Sequence, residues 1–221
     1  MLLLILLLAL LAPALPRAQE VQPLTGRQIA PTMSAAGADW LDRSERAREE
    51  QPDKALDVIG IHPGMMVADV GAGTGYMSIR MARRVAPGGK VYSEDIQREM
   101  LSLLRDHAAV AKVANIETIL GTQSDPKLPP NALDLVLLVD VYHEFSEPEK
   151  MLDAIRQALK ADGRLVLLEY RAEDPSIPIR PEHKMSVKQA KTEVEAEGFR
   201  LAKVDESLPR QHILIFRKSL N

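Results

Sequence analysis

One stretch narrows the possible folds more than any other. "VADVGAGTGYMSIRMA", Val67 to Ala82, sets three glycines in five positions between an apolar run and a helix-like pattern. A strand that ends in Gly-x-Gly-x-Gly and runs into a helix brings bare main-chain N–H groups and a helix N-terminus to the carboxyl edge of a sheet, where a ligand can come close. From Val67 onward, short β-rich runs alternate with amphipathic segments, the pattern of βαβ units in an α/β fold with a mostly parallel sheet. Strands are read at Val67–Val70, Lys90–Glu94, Ile116–Leu120, Leu133–Val139 and Arg164–Glu169, and helices at Gly75–Val85, Gln97–His107 and Glu147–Leu159. Ser146 with Glu149 has capping-box spacing, and Ser186 with Gln189 repeats it ahead of a helix to about Glu197. Phe199–Val204 and His212–Arg217 are strand-like with only a Pro-containing loop between them, which predicts an antiparallel pair closing the sheet.

The three glycines leave three classes of ligand to separate. A Walker A loop needs Gly-Lys-Ser/Thr, and Tyr76, Met77 and Ser78 follow Gly75 instead. The dinucleotide fingerprint needs its third glycine at 76, where Tyr stands. What remains is Asp69-x-Gly71-x-Gly73-x-Gly75, with an acid two residues before the first glycine. A carboxylate there repels a diphosphate and favours a cationic ligand. S-adenosylmethionine, with its ammonium and sulfonium, is such a ligand. Asp95 in "VYSEDI" stands at the tip of the next strand, where a carboxylate can accept both ribose hydroxyls. Strand alternation favours only one of Glu94 and Asp95 facing the site, and Asp95 is chosen.

The motifs "VADVGAGTGYMS", "VYSEDIQREML", "LGTQSD" and "DLVLLVDVYHEF" together resemble the class I S-adenosylmethionine-dependent methyltransferases, over about Pro63 to Lys218. The small-molecule branch, with its quinone and type-11 methyltransferases, is the most similar. A leader with "GADWLDRSERAREE" resembles an exported subgroup of it. The resemblance implies a Rossmann-like three-layer sandwich with a seven-stranded, mostly parallel sheet and an antiparallel last strand. It implies S-adenosyl-L-methionine as cofactor. Asp69, Gly71, Ala72, Gly73 and Gly75 match the methionine-end motif, Asp95 the ribose acid, and Ile96 the residue packed on adenine. Thr122 stands where many members have an acid for adenine N6, so Gln123, Ser124 and Asp125 are the alternatives. Asp140 matches the position facing both methionine moiety and acceptor.

Methyl transfer asks the protein mainly to position a nucleophile and remove a proton. His143 in "VDVYHEF" is the general-base candidate, with Tyr142 and Glu144 beside it assigned to the acceptor. A second polar cluster, "EYRAEDPSIPIRPEHKMS", supplies Tyr170, Arg171 and Arg180 for substrate selection and His183 as a second base. His143, Glu144 and His183 are metal-ligating types, but two neighbours in sequence are a poor start for a site, so no metal is expected. His62, His107 and His212 are read as structural.

Composition sets the remaining bounds. With 221 residues, 28 basic and 31 acidic side chains and no Lys/Arg block, the chain lacks the footprint of a nucleic-acid binder, and a small-molecule acceptor is expected. Zero cysteines exclude disulfides, thiolate nucleophiles and Cys-metal sites. The apolar run Leu2–Leu15, broken by Pro13, is too short to span a bilayer and near the length of a signal-peptide core. Residues 1–18 are therefore read as a signal peptide or short anchor, 19–60 as a helical and flap segment, and 61–221 as the methyltransferase domain. Export to the periplasm or anchoring follows, with the cytosolic face as the alternative because the cofactor is made in the cytosol. Any membrane association would run through that first segment, and nothing fixes oligomeric state. Within the second segment, the charges of Trp40–Ile59 are read as a solvated face, and Ile29–Asp39 as a connector or a flap. A cofactor-binding sensor or partner module without turnover is the alternative function, and a nicotinamide oxidoreductase a weaker third.

Overall fold

The structure is a computed structural model that describes residues 20–219. The expected leader, residues 1–18, lies outside them. Among the described residues, no helix is long and apolar enough to cross a membrane.

Seven strands form one sheet: β1 (Met66–Val70), β2 (Lys90–Asp95), β3 (Ile116–Leu120), β4 (Leu133–Val139), β5 (Leu159–Tyr170), β6 (Phe199–Asp205) and β7 (Gln211–Lys218). Their spatial order is β3-β2-β1-β4-β5-β7-β6. β1 to β5 pair in parallel, and β7 runs antiparallel to both β5 and β6. The expected closing pair at the tail is thus present, with β7 inserted between β5 and β6. From β1 the chain first moves outward to β2 and β3, then crosses back to lay β4 on the other side of β1. Such a reversal opens a crevice at the carboxyl ends of the two strands.

Period-two alternation sorts the strand side chains into two cores. Val67, Leu135, Leu137, Val166, Leu168 and Ile213 face α3 (Pro52–Ile59) and α4 (Tyr76–Val85), meeting Leu56, Met81 and Val85. Ala68, Val136, Leu138, Leu165, Leu167 and Phe216 face α6 (Pro148–Ala158) and α7 (Val187–Ala196), meeting Leu152, Ile155 and Val194. Burial on both faces is why these strands read as continuous apolar runs rather than as alternating ones. α5 (Arg98–Val110) packs along β2 and β3.

The two capping-box expectations part company. Ser186 caps α7 reciprocally with Gln189. Ser146 caps nothing, because Pro148 with its preset φ opens α6 and makes Glu147 the N-cap. That shift leaves Ser146 one residue outside the helix and its buried hydroxyl without a partner.

The segment before the sheet is tied down rather than loose. Besides α3 it holds two short helices, α1 (Ala38–Leu41) and α2 (Arg46–Glu50). Buried Arg27 forms a two-pronged pair with Glu193 of α7, at 2.9 and 3.0 Å, and donates to the His143 carbonyl at 3.0 Å. The Ala30 N–H reaches the same carbonyl at 3.0 Å. The reading of Trp40–Ile59 as a solvated face needs correction, since Arg46 and Glu50 are buried and paired at 2.7 Å. An i,i+4 pair looks alike in sequence whether water or protein covers it.

Candidate active site

The glycine turn is shaped by close approach. Gly71 and Gly75 both have left-handed φ, +71° and +88°. A Cβ on Gly71 would lie 2.4 Å from Val141 Cγ2, and one on Gly75 2.7 Å from Leu104 Cγ. The first contact joins the turn after β1 to the turn after β4, and the second seats it on α5. Only glycine satisfies both the conformation and the space.

Carboxylates of β2 hold the turn's main chain. Asp95 Oδ2 accepts from Gly73 N at 3.0 Å, and its Oδ1 from Gln97 N at 2.8 Å. Glu94 Oε2 accepts from Gly71 N at 3.3 Å, while its Oε1 is buried without a partner. Both acids border one cavity of about 410 Å³, so the expectation that alternation admits only one of them is overturned. Asp95 is the last residue of its strand, where the pleat gives way to the turn. Burial pushes the Glu94 carboxyl up to about 8, helped by the charge of Asp95. Burial raises Asp95 as well, against the main-chain donors that hold it down. Asp69 sits beneath the turn, accepting from Ser78 Oγ at 2.6 Å, and burial lifts it to about 6. Together with Ala72 it faces a separate hollow of about 40 Å³ rather than the main cavity.

Ile96, Met100, Thr122 and Gln123 line the cavity beyond Asp95, whereas Ser124 and Asp125 do not. Asp125 closes a tight loop with Thr122, its N–H donating to Thr122 Oγ1 at 3.0 Å. Thr32 and Met33 lie over this end, held by Gln97, which donates to the Met33 carbonyl at 2.9 Å and accepts from Ala35 N at 3.0 Å. Thr32 and Met33 of the Ile29–Asp39 stretch thus border the cavity.

Across the cavity stand groups from four other segments. Asp140 follows β4 with φ +53°, left-handed and strained for a non-glycine residue. Its Oδ2 accepts from Gln211 at 2.7 Å, and its buried Oδ1 has no partner. Burial, with the charges of Glu50 and Glu169, drives this carboxyl well above its ordinary range. Arg46 borders the cavity between Glu50 and the Tyr76 ring, 4.1 Å from its centroid. Tyr170 donates to Glu50 at 2.9 Å.

His143 lies in a single 3-10 turn, Tyr142–Glu144. Fully buried Glu169 fixes that turn, accepting from Tyr142 N at 2.9 Å and from His143 Nδ1 at 2.7 Å. Nε2 of His143 faces His183 Nδ1 at 3.1 Å, with the rings edge to face. Burial depresses the His143 imidazole, but Glu169 outweighs it and holds the ring above its usual pKa. His183 is lowered, by burial and then by His143. Burial carries Glu144 up to about 7, against the pull of His143.

Asp140, His143, Glu144, Tyr170, Arg180 and His183, all named from the sequence, border the cavity. Gly75, like Asp69 and Ala72, does not border it, and neither do two residues assigned to the acceptor, Tyr142 and Arg171. Tyr142 is fully buried, edge to face with Phe145 and beneath Arg27. Its place at the head of the 3-10 turn directs it inward while the next residue, His143, faces the cavity. Arg171 is spent on the loop before β7, pairing with Glu206 at 2.5 Å and donating to the carbonyls of Leu208 and Pro209. Sequence reasoning missed Arg46, Glu50, Gln97 and Gln211, whose contacts with Tyr76, Tyr170, Met33 and Asp140 no local pattern announces. The argument that neighbouring residues make poor joint ligands also fails geometrically. One ligand atom each from His143, Glu144 and His183 falls within 4.8 Å of the others.

Comparison with known proteins gives the family. The family model described as a methyltransferase domain matches residues 61–209. The ubiquinone/menaquinone biosynthesis C-methyltransferase UbiE of Hydrogenovibrio crunogenus is 30% identical over 117 residues, covering 52% of this chain and 46% of that protein. UbiE of Escherichia fergusonii is 29% identical over 116 residues, with the same coverages. The chain thus spans about half the length of the curated relatives it matches. A crystal structure of a SAM-dependent methyltransferase from Aquifex aeolicus superposes with a TM-score of 0.79 at 26% identity, over 84% of this chain and 98% of that one. The matched residues contain the glycine turn, both acids of β2 and the His143 turn, and the chain belongs to the class I S-adenosylmethionine-dependent methyltransferases.

Proposed function

We propose that the protein transfers a methyl group from S-adenosylmethionine to a small-molecule acceptor. The observation that carries this is a single cavity with two unlike rims. One is built from carboxylates and bare main chain, the other from imidazoles.

The residues present suit the cofactor. Asp95 spends two of its roughly four acceptor sites on Gly73 and Gln97, which leaves capacity for two ribose hydroxyls. The unpartnered Asp140 oxygen suits an ammonium, and Arg46 a carboxylate, the two ends of an amino acid. Ile96 and Met100 offer an apolar surface to adenine, with Thr122 and Gln123 at its edge. When bound, the cofactor supplies a methyl group already activated on sulfur. What this chain adds is placement, exclusion of water and a destination for the acceptor's proton. Glu169 takes the Nδ1–H of His143 and so turns the Nε2 lone pair toward the cavity, where it draws on the acceptor's proton. Arg180, which makes no ion pair among the described residues, selects for an anionic group on the acceptor. A cavity of this size, partly roofed by Met33 and Ile179, suits a small molecule rather than a polymer.

Titration calorimetry with S-adenosylhomocysteine tests the reading. Saturable binding is expected, weakened in Asp95→Ala by about 10- to 150-fold, as loss of ~1.5 to 3 kcal/mol of charge-assisted hydrogen bonding requires. Turnover of labelled methyl onto a panel of phenols, amines and quinols then identifies the acceptor. Absence of heat with the wild-type protein would sink the proposal. Tight binding without transfer to any acceptor would favour a sensor.

A further inference from the structure

We propose that His143 Nε2, His183 Nδ1 and the Glu144 carboxylate form a binding site for a divalent first-row transition ion, with a coordination position left open to the cavity. The three ligand atoms fall within 4.8 Å of one another. The two nitrogens are 3.1 Å apart. Two metal–nitrogen bonds of about 2.05 Å span that distance at an angle of roughly 100°, close to the tetrahedral value that zinc adopts. The remaining contraction falls on Glu144 and His183, which are half-buried and can move, whereas His143 is locked.

The surroundings of His143 are those of a metal ligand. Its Nδ1–H is accepted by Glu169 at 2.7 Å, and Glu169 is itself completely buried and held by Tyr142 N. A carboxylate on the far nitrogen fixes ring orientation and tautomer and makes the near nitrogen a better donor. With that hydrogen committed, Nε2 points a lone pair at the second imidazole, whose Nδ1 points back. A plain hydrogen bond between the rings needs a proton from one of them and gives the Glu144 carboxylate no role. A cation engages all three. Two imidazoles and a carboxylate suit zinc, iron(II) or cobalt(II) rather than magnesium or calcium, which take oxygen ligands. The set is also incomplete in the way of reactive sites, three protein ligands with the next position facing open space.

The existence of the site rests on geometry alone. Its role, gripping an oxygen, nitrogen or sulfur donor of the acceptor, rests on the methyl-transfer reading above. An ion there would lower the pKa of the acceptor's bound group in place of the His143 Nε2 base, and the released proton would pass to water in the open cavity.

The full chain, stripped with chelator and dialysed, is titrated with cobalt(II) chloride and with zinc chloride. We expect one ion per chain, a visible cobalt absorption near ~500 to 650 nm that zinc abolishes, and affinity about 100-fold lower in His183→Ala and Glu144→Gln. Glu169→Gln, which removes no ligand, should lower affinity by about 10- to 100-fold. Circular dichroism of each variant checks folding, and Glu144→Gln is nearly isosteric. Absence of the band, or equal affinity in the wild type and both ligand variants, overturns the site. Calorimetry with S-adenosylhomocysteine on the same preparations separates the two readings. Homocysteine-nucleoside binding without cobalt removes the metal site and leaves the methyltransferase, and cobalt binding without nucleoside does the reverse.

Discussion

The two rims of the cavity are built in opposite ways. On the cofactor rim, carboxylates of one strand grip main-chain N–H groups of the turn that follows its neighbour. The groups involved come from two short stretches, and glycines carry the geometry. On the opposite rim, which Asp140 shares with the cofactor's amino-acid end, side chain meets side chain: His143 with Glu169 and His183, Asp140 with Gln211, Tyr170 with Glu50. These partners lie 26, 40, 71 and 120 residues apart. A main-chain cradle recognises what all members of a fold share, while a side-chain rim can be altered one substitution at a time. Constancy of cofactor and variety of acceptor then follow from the same cavity.

The largest effect we expect breaks the first rim. Gly71→Ala combines a left-handed φ with a Cβ 2.4 Å from Val141, and should cost about 3 kcal/mol or more of folding stability in urea titrations. A loss under ~1 kcal/mol would mean that the turn adapts and is no rigid cradle.

Next comes the charge stored in that rim. Glu94 titrates near 8 in the folded protein and near its ordinary value when unfolded, so the native state holds the extra proton between those limits. Stability from this group is complete below the unfolded value and is lost as pH rises through about 8. Between pH 6 and 8 the wild type should lose roughly 2 kcal/mol more than Glu94→Gln does, one proton being worth about 1.4 kcal/mol per pH unit. Equal slopes in the two proteins would show that Glu94 is ionised against the turn.

The smallest effect sharpens the second rim. Arg171→Ala should cost about 1 kcal/mol of stability through the loop before β7 and leave the acceptor KM alone. Arg180→Ala should do the opposite, raising KM for an anionic acceptor several-fold at unchanged stability. A larger KM effect from Arg171 would restore it to the site.

Legibility in sequence follows the same divide. Strand positions, the glycine turn and the reciprocal Ser186–Gln189 cap were readable because each is decided within a few residues. Ser146 misled because the local rule it obeys competes with another local rule, the preset φ of Pro148. Tyr142 and Arg171 were misplaced because a polar side chain near a strand tip has two destinations, and only tertiary packing selects one. Arg46 was invisible for the converse reason. What covers it comes from elsewhere in the chain, and nothing in "RAREE" says so.

The strap before the sheet changes where the catalytic unit begins. The family model begins to match at residue 61, yet Met33, Trp40, Leu41 and Arg46 border the cavity. Arg27 meanwhile joins the His143 turn to α7. A fragment cut at that boundary would keep every strand and lose Met33's share of the roof, one side wall and the arginine proposed for the cofactor's carboxylate. The edge of the family-model match runs through the middle of the cavity wall.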